Sequence, residues 1–470
     1  MEELPNILAQ RYASNEMVSL WSPQNRILEE RRLWVAILEA QKNAGLHISP
    51  EAIKAYKAVT ENIDMDSIRA REAQTHHDVK ARIDEFCALA GHEEIHQGLT
   101  SRDLTESIEQ KLLLKSLKLI LDKSISLLHV FSRRIDEFKT TPLVARTHNV
   151  PAQITTLGRR LAMFAEELLF AIEALEALIQ RFPARGIKGA IGTQIDLYQL
   201  FDGDENKIKT LEKDILAWMG LTHACLTPGQ IYPRSLDFSI VATFLQLSSG
   251  PASFAKTFRL MAGQGLASES FSKGQTGSSA MPHKNNPRLS ERIASLQSIL
   301  RGHLAQASDL LGNQWNEGDV ACSAVRRVML PDACFTLDGI LETCAYIVAE
   351  ASFNAEAMKA EVTQELPYLL SSSILAEATA HGVGREKAHD QIKKHMQMLH
   401  NKHGSLEEFL ALIAKDTSLC ISYDFIATLK ANPLKAAGPA AKQTEALLRH
   451  ISHCHKNTNN SLTPLKTQPL

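Results

Sequence analysis

The chain has 470 residues, and 51 Lys and Arg nearly balance 53 Asp and Glu for a formal net charge of −2. No global field favours nucleic acid or an anionic membrane surface, so any anionic partner must be held by a few local cations. The seven cysteines contain no CxxC pair and set no disulfide framework, which points to free thiols in a reducing compartment.

Forty-four per cent hydrophobic residues allow a sizeable core, and the length suggests about three domains. No apolar run reaches membrane-spanning length. The opening MEELPNILAQRYAS carries acids and no apolar signal core, so the expected location is the cytoplasm.

Helical periodicity dominates from the start. Ile27, Trp34 and Leu38 share one face of a segment ending at Gly45. The run Gln74-Thr75-His76-His77-Asp78 reads either as a proton relay or as a helix start with Asp78 near the dipole. His92-Glu93-Glu94-Ile95-His96 matches the HExxH pattern of helical zinc sites. Gly91 before it and Gly98 after it predict a short turn instead, and no metal is assigned. His453-Cys454-His455 is a weaker cluster of the same kind, beside a polar tail over 456–470.

Thr100, Ser101 and Asp103 precede a long apolar pattern, as N-capping residues do. The same hydroxyls at a helix start also suit a bound carboxylate. From Ser107 to Phe138 the repeat Leu113, Leu117, Ile120, Leu121, Leu128, Phe131, Ile135 predicts an unusually long helix. Similar patterns occupy about 155–181, 236–262, 289–311 and 333–351. No alternating strand run stands out. Between them, Thr147-His148 before Pro151 marks a break between helical patterns, where side chains converge. Gln230 to Arg234 precedes a helix opening near Asp237. Arg326-Arg327 reads as a solvated face or a salt-bridge pair.

Ser272–Arg292, SKGQTGSSAMPHKNNPRLSER, is too rich in Gly, Ser, Asn and Pro for a helix or strand. It presents Ser278, Ser279, Lys284 and Asn286, with glycines that let backbone N–H groups approach a ligand. A loop of this length in a loop-poor chain is read as a lid or binding loop. The fold expected is all-α, in three helical domains: 1–105, a long-helix bundle over 106–352 carrying the loop, and 353–470. Apolar stripes on the long helices fit either a symmetric oligomer or a self-covered monomer.

The loop GSSAMPHKNNP is similar to the signature of the fumarase/aspartase superfamily. Arg11-Tyr12, His77-Asp78, Thr100-Ser101, Thr147-His148, Gln230–Arg234, Ser323 and Arg327 follow in family order to about residue 335, and Gln364-Glu365-Leu366-Pro367 extends the likeness weakly. The resemblance implies a homotetramer of long helices, its sites assembled from three subunits, with no cofactor. It also implies β-elimination of fumarate from a purine nucleotide, adenylosuccinate giving AMP, or the succinylated imidazole-carboxamide ribotide (SAICAR).

Carried over residue by residue, Ser278 is the base and His148 the acid, with Lys284 and His77 the other catalytic positions. Thr100, Ser101, Gln230, Ser279 and Asn286 fall at substrate positions. Arg11, Tyr12, Arg292, Ser323 and Arg327 fall on the nucleotide or phosphate side, and His76 and Asp78 flank His77. Three positions depart from the pattern. Gly318 stands where an arginine is usual, Asn285 replaces a common arginine, and Val150 a common glutamine. A superfamily lyase of argininosuccinate or carboxymuconate type, a non-catalytic scaffold retaining the loop, and a zinc protease using His92 and His96 are the alternatives.

Overall fold

The computed structural model describes residues 6–269, 281, 284–402 and 405–454. Its frame is a set of long helices: Ser101–Glu137, Leu157–Gln180, Ser235–Leu247, Ser249–Gly263, Arg288–Asp309 and Ser323–Glu350. The first has no Gly or Pro in its 37 residues. Its Leu113, Leu117, Ile120, Leu128, Phe131 and Ile135 are all buried, each worth about 1.5–3 kcal/mol of transfer free energy. That helix packs along Leu157–Gln180 on one side and Ser323–Glu350 on another. The all-α expectation holds for this frame.

The details correct four sequence expectations. The pattern over 236–262 is two helices, because Pro251 has no N–H to bond the Leu247 carbonyl and the chain turns at Ser248. The helix expected from 333 begins at Ser323; Pro331 inside it obscured the periodicity. The end of the signature segment is helical from Arg288, with the Leu289 and Ser290 N–H groups donating to Glu269 at 3.1 and 2.8 Å. A carboxylate there also opposes the positive end of the helix dipole.

The fourth correction is that strands occur: the break expected at Thr147-His148 separates two helices, and it holds an antiparallel hairpin of Pro142–Thr147 and Val150–Thr156. His148 and Asn149 both take left-handed φ, 51° and 65°, the geometry of a two-residue hairpin turn. Val144 and Ile154 face inward from the two strands, and the pairing is too short to announce itself in sequence.

Val144 and Ile154 join a second apolar core built by Val362, Leu366, Ile374, Phe409 and Ile413 of the later helices. The helix Pro23–Asn43 packs on the central helix, burying Ile27, Trp34 and Leu38 as the pattern predicts. The helix Ala440–Cys454 returns to Leu157–Gln180. Among the described residues, no helix is long and apolar enough to cross a membrane.

Candidate active site

Several stretches distant in the chain meet around a cavity of about 400 Å³. His77 and Asp78 come from the corner between the helices Met65–Thr75 and Asp78–Ala90. His76 closes the first of these in a left-handed conformation, exposed, and His77 caps the second, its Nδ1 accepting the Lys80 N–H at 3.2 Å. Thr100 and Ser101 come from the N-terminus of the long helix. Ser323 and Arg327 come from the first turns of Ser323–Glu350, and Gln230 from the loop facing them.

Beneath the cavity lies a buried ionic floor. Glu106 accepts from Arg234 Nη1 at 3.0 Å and Nη2 at 2.9 Å, and Arg326 Nε donates to Asp237 at 2.6 Å. Arg326 also donates to the Tyr232 hydroxyl. Burial alone would raise the Glu106 pKa, but Arg234, Arg326 and Arg102 together hold it below the ordinary range. Asp103 Oδ2 accepts the Thr100 N–H at 2.8 Å, and its Oδ1 accepts Arg185 at 2.6 Å, which fixes the helix start that carries Thr100 and Ser101. Asp78 is also held low: burial opposes ionisation, but Arg82, the Val79 N–H and Arg327 outweigh it.

Of the two readings of Arg326, the solvated face fails and the salt-bridged one holds. Arg326 is 1% exposed and bound to carboxylates. Gly318 has φ +137°, and a Cβ built there would sit 2.9 Å from Gln230 Cβ. Gly318→Ala is expected to cost about 1–3 kcal/mol through backbone strain, read as a lower melting temperature.

Not every expected residue reaches this cavity. Arg11 and Tyr12 end the first helix, where the Tyr12 ring lies 5.4 Å from the Arg292 guanidinium. Burial, then the Arg11 and Arg288 charges, push the Arg292 pKa below its ordinary value, as a crowded set of cations should. His148 projects from the exposed hairpin tip and does not line the cavity of its own chain. Lys284 is exposed, its N–H donating to the Met281 carbonyl at 3.0 Å, and Asn286 accepts from the Arg288 N–H at 2.9 Å. Ser278 and Ser279 lie outside the described residues.

The HExxH segment is a turn. His96 Nδ1 accepts the Trp34 indole N–H at 3.1 Å and Glu94 accepts the Ser49 N–H at 3.1 Å, so both side chains have structural work.

Sequence reading missed the floor, although a signal existed. Glu106 and Gln110 stand in register with Leu113, Leu117 and Ile120, at alternating spacings of three and four. Polar groups at a core phase of a long helix must be paired, and so mark a network.

Residues 13–301 match the family described simply as lyase. Adenylosuccinate lyase of Schistosoma mansoni is 33% identical, covering 84% of this chain and 83% of that protein. That of Saccharomyces cerevisiae is 29% identical, covering 98% and 95%. By this similarity the chain belongs to the adenylosuccinate lyase family. In fold it matches the 3-carboxy-cis,cis-muconate lactonizing enzyme of Pseudomonas putida with a TM-score of 0.83 at 19% identity, covering 96% of this chain and 99% of the other. A fumarate lyase from Mesorhizobium sp. BNC1 gives 0.82 at 18%, covering 95% and 100%.

Proposed function

We propose that this lyase splits adenylosuccinate into AMP and fumarate in purine biosynthesis, and SAICAR in the same way. The observation that carries the reading is the cavity itself. It gathers His77, Asp78, Thr100, Ser101, Gln230, Ser323 and Arg327, seven expected substrate or catalytic residues from distant parts of the chain.

The chemistry explains the residue types. A base removes a proton from the carbon beside one succinyl carboxylate, and the pair left behind forms the new C=C bond as the neighbouring C–N bond breaks. The carbanion on the way is a doubly charged aci-carboxylate, very unstable in water. Fixed donors must meet that charge, and Lys284, Asn286 and loop N–H groups are assigned to it. Ser278 is the base, activated in a dry electropositive site. His148 protonates the departing nitrogen as the general acid. Arg11, Ser323 and Arg327 hold the phosphate, with Tyr12 and Arg292 on the same nucleotide side. No organic cofactor or metal has a part in these steps.

His148 stands away from the cavity of its own chain, and Arg11, Tyr12 and Arg292 form a separate group. Both facts favour a homotetramer whose sites are completed by neighbouring subunits. Exposed Met163, Phe170, Leu260 and Val328 on the long helices supply apolar surface for such contacts. The division at 105 and 352, and a cytoplasmic location, belong to the same reading. Assaying fumarate release from adenylosuccinate, SAICAR and argininosuccinate is the test. Release from the first two is expected; release from argininosuccinate alone overturns the assignment.

A further inference from the structure

Five guanidinium groups line the cavity: Arg26, Arg82, Arg102, Arg326 and Arg327. Four of them already face carboxylates. Arg326 is bound to Asp237, with Glu109 at 3.3 Å. Arg102 lies 3.2 Å from Glu106, and Arg82 lies 2.7 Å from Glu30 and 3.4 Å from Asp78. Arg327 reaches the same Asp78 oxygen at 3.4 Å. Arg26 has no hydrogen bond or ion pair through its side chain among the described residues.

Its position makes that arrangement costly. Arg26 is the fourth residue of the helix Pro23–Asn43, near the positive end of the dipole, where a cation is disfavoured. It is half-buried beside a cavity already rich in positive charge. Glu30, a carboxylate that feels the Arg26 charge, is held by Arg82. A side chain that breaks local electrostatic preference without an internal partner marks a functional position. Gly318, packed against Gln230 on the wall of the same cavity, adds no cation of its own.

We propose that Arg26 is a substrate-binding residue whose guanidinium receives an oxyanion of the bound nucleotide, beside Ser323 and Arg327. The inference rests on the lyase reading above for the ligand's identity. The oxyanion is the 5′-phosphate or a succinyl carboxylate, which share the geometry a guanidinium fork recognises.

Calorimetric titration of the full-length protein and its Arg26→Gln variant with AMP and with succinyladenosine separates the two. AMP carries only the phosphate and succinyladenosine only the carboxylates. One of them should bind the variant roughly tenfold to a hundredfold more weakly than the wild type, and the one affected names the oxyanion. Arg26→Lys should recover part of the loss, as charge without the fork does. Three results overturn the proposal: both ligands bind the variant within about twofold of wild type, both weaken equally as in a general disturbance of the cavity, or neither binds the wild type. The lyase reading fails separately, if the wild type binds AMP in an Arg26-dependent way yet releases no fumarate.

Discussion

Ser278→Ala is expected to keep the circular dichroism and melting temperature of the wild type while losing adenylosuccinate turnover by about a hundredfold to ten-thousandfold. The reasoning is chemical. A hydroxyl is a poor base in water, so its catalytic use requires a site that excludes water and carries positive charge, and the segment places Lys284 six residues on. Removing the oxygen leaves no group to accept the proton from the succinyl carbon. The substrate should still bind, so AMP affinity should change little. His148→Gln should lose turnover similarly. Its ring is exposed at a hairpin tip, so the fold does not depend on it. Near-normal activity of Ser278→Ala would show that another group is the base.

Lys123→Met is expected to destabilise the protein by about 3–5 kcal/mol, because removing one partner of a buried ionic group leaves the others unpaired. Lys123 is 0% exposed in the middle of the long helix and donates to Asp338 at 2.5 Å, Glu342 at 2.6 Å and the Ser14 hydroxyl at 2.8 Å. Asp338 also accepts the Ser14 N–H at 2.5 Å. This group ties the segment bearing Arg11 and Tyr12 to the bundle, so substrate affinity should fall together with stability.

The pH dependence follows from the direction of the Lys123 shift. Burial lowers its pKa, but Asp338 and Glu342 outweigh burial and raise it above the ordinary 10.5. A raised lysine contributes stability fully below its unfolded pKa and loses it as pH rises through the folded value. The wild type should therefore keep this contribution at neutral pH and lose it only in strong alkali. Thermal melts of wild type and variant from pH 7 to pH 11 check both the size and the window.

The bundle was legible because its helices are long and their apolar residues keep period. The cavity was legible in part, since His77, Thr100, Ser101, Ser323 and Arg327 sit at helix ends, where caps and polar groups stand out against apolar runs. The hairpin was not, because two short strands with an inward Val144 and Ile154 leave too little alternation to read. The floor of Glu106, Arg234, Asp237 and Arg326 was hidden by a general expectation that charged side chains face water. Arg26 was hidden in the same way. A lone arginine in an amphipathic helix looks ordinary until the neighbouring arginines are seen to be paired.

A mixing experiment joins the function to the shared site. Ser278→Ala and His148→Gln proteins are denatured together in equal amounts, refolded, and assayed with adenylosuccinate against refolded wild type. If the two residues meet in one site from different subunits, random assembly leaves about a quarter of the sites with both groups intact, and about that fraction of wild-type fumarate release should return. A mixture as inert as its two parents, beside an active refolded wild type, would place both residues on one subunit and contradict the site proposed here.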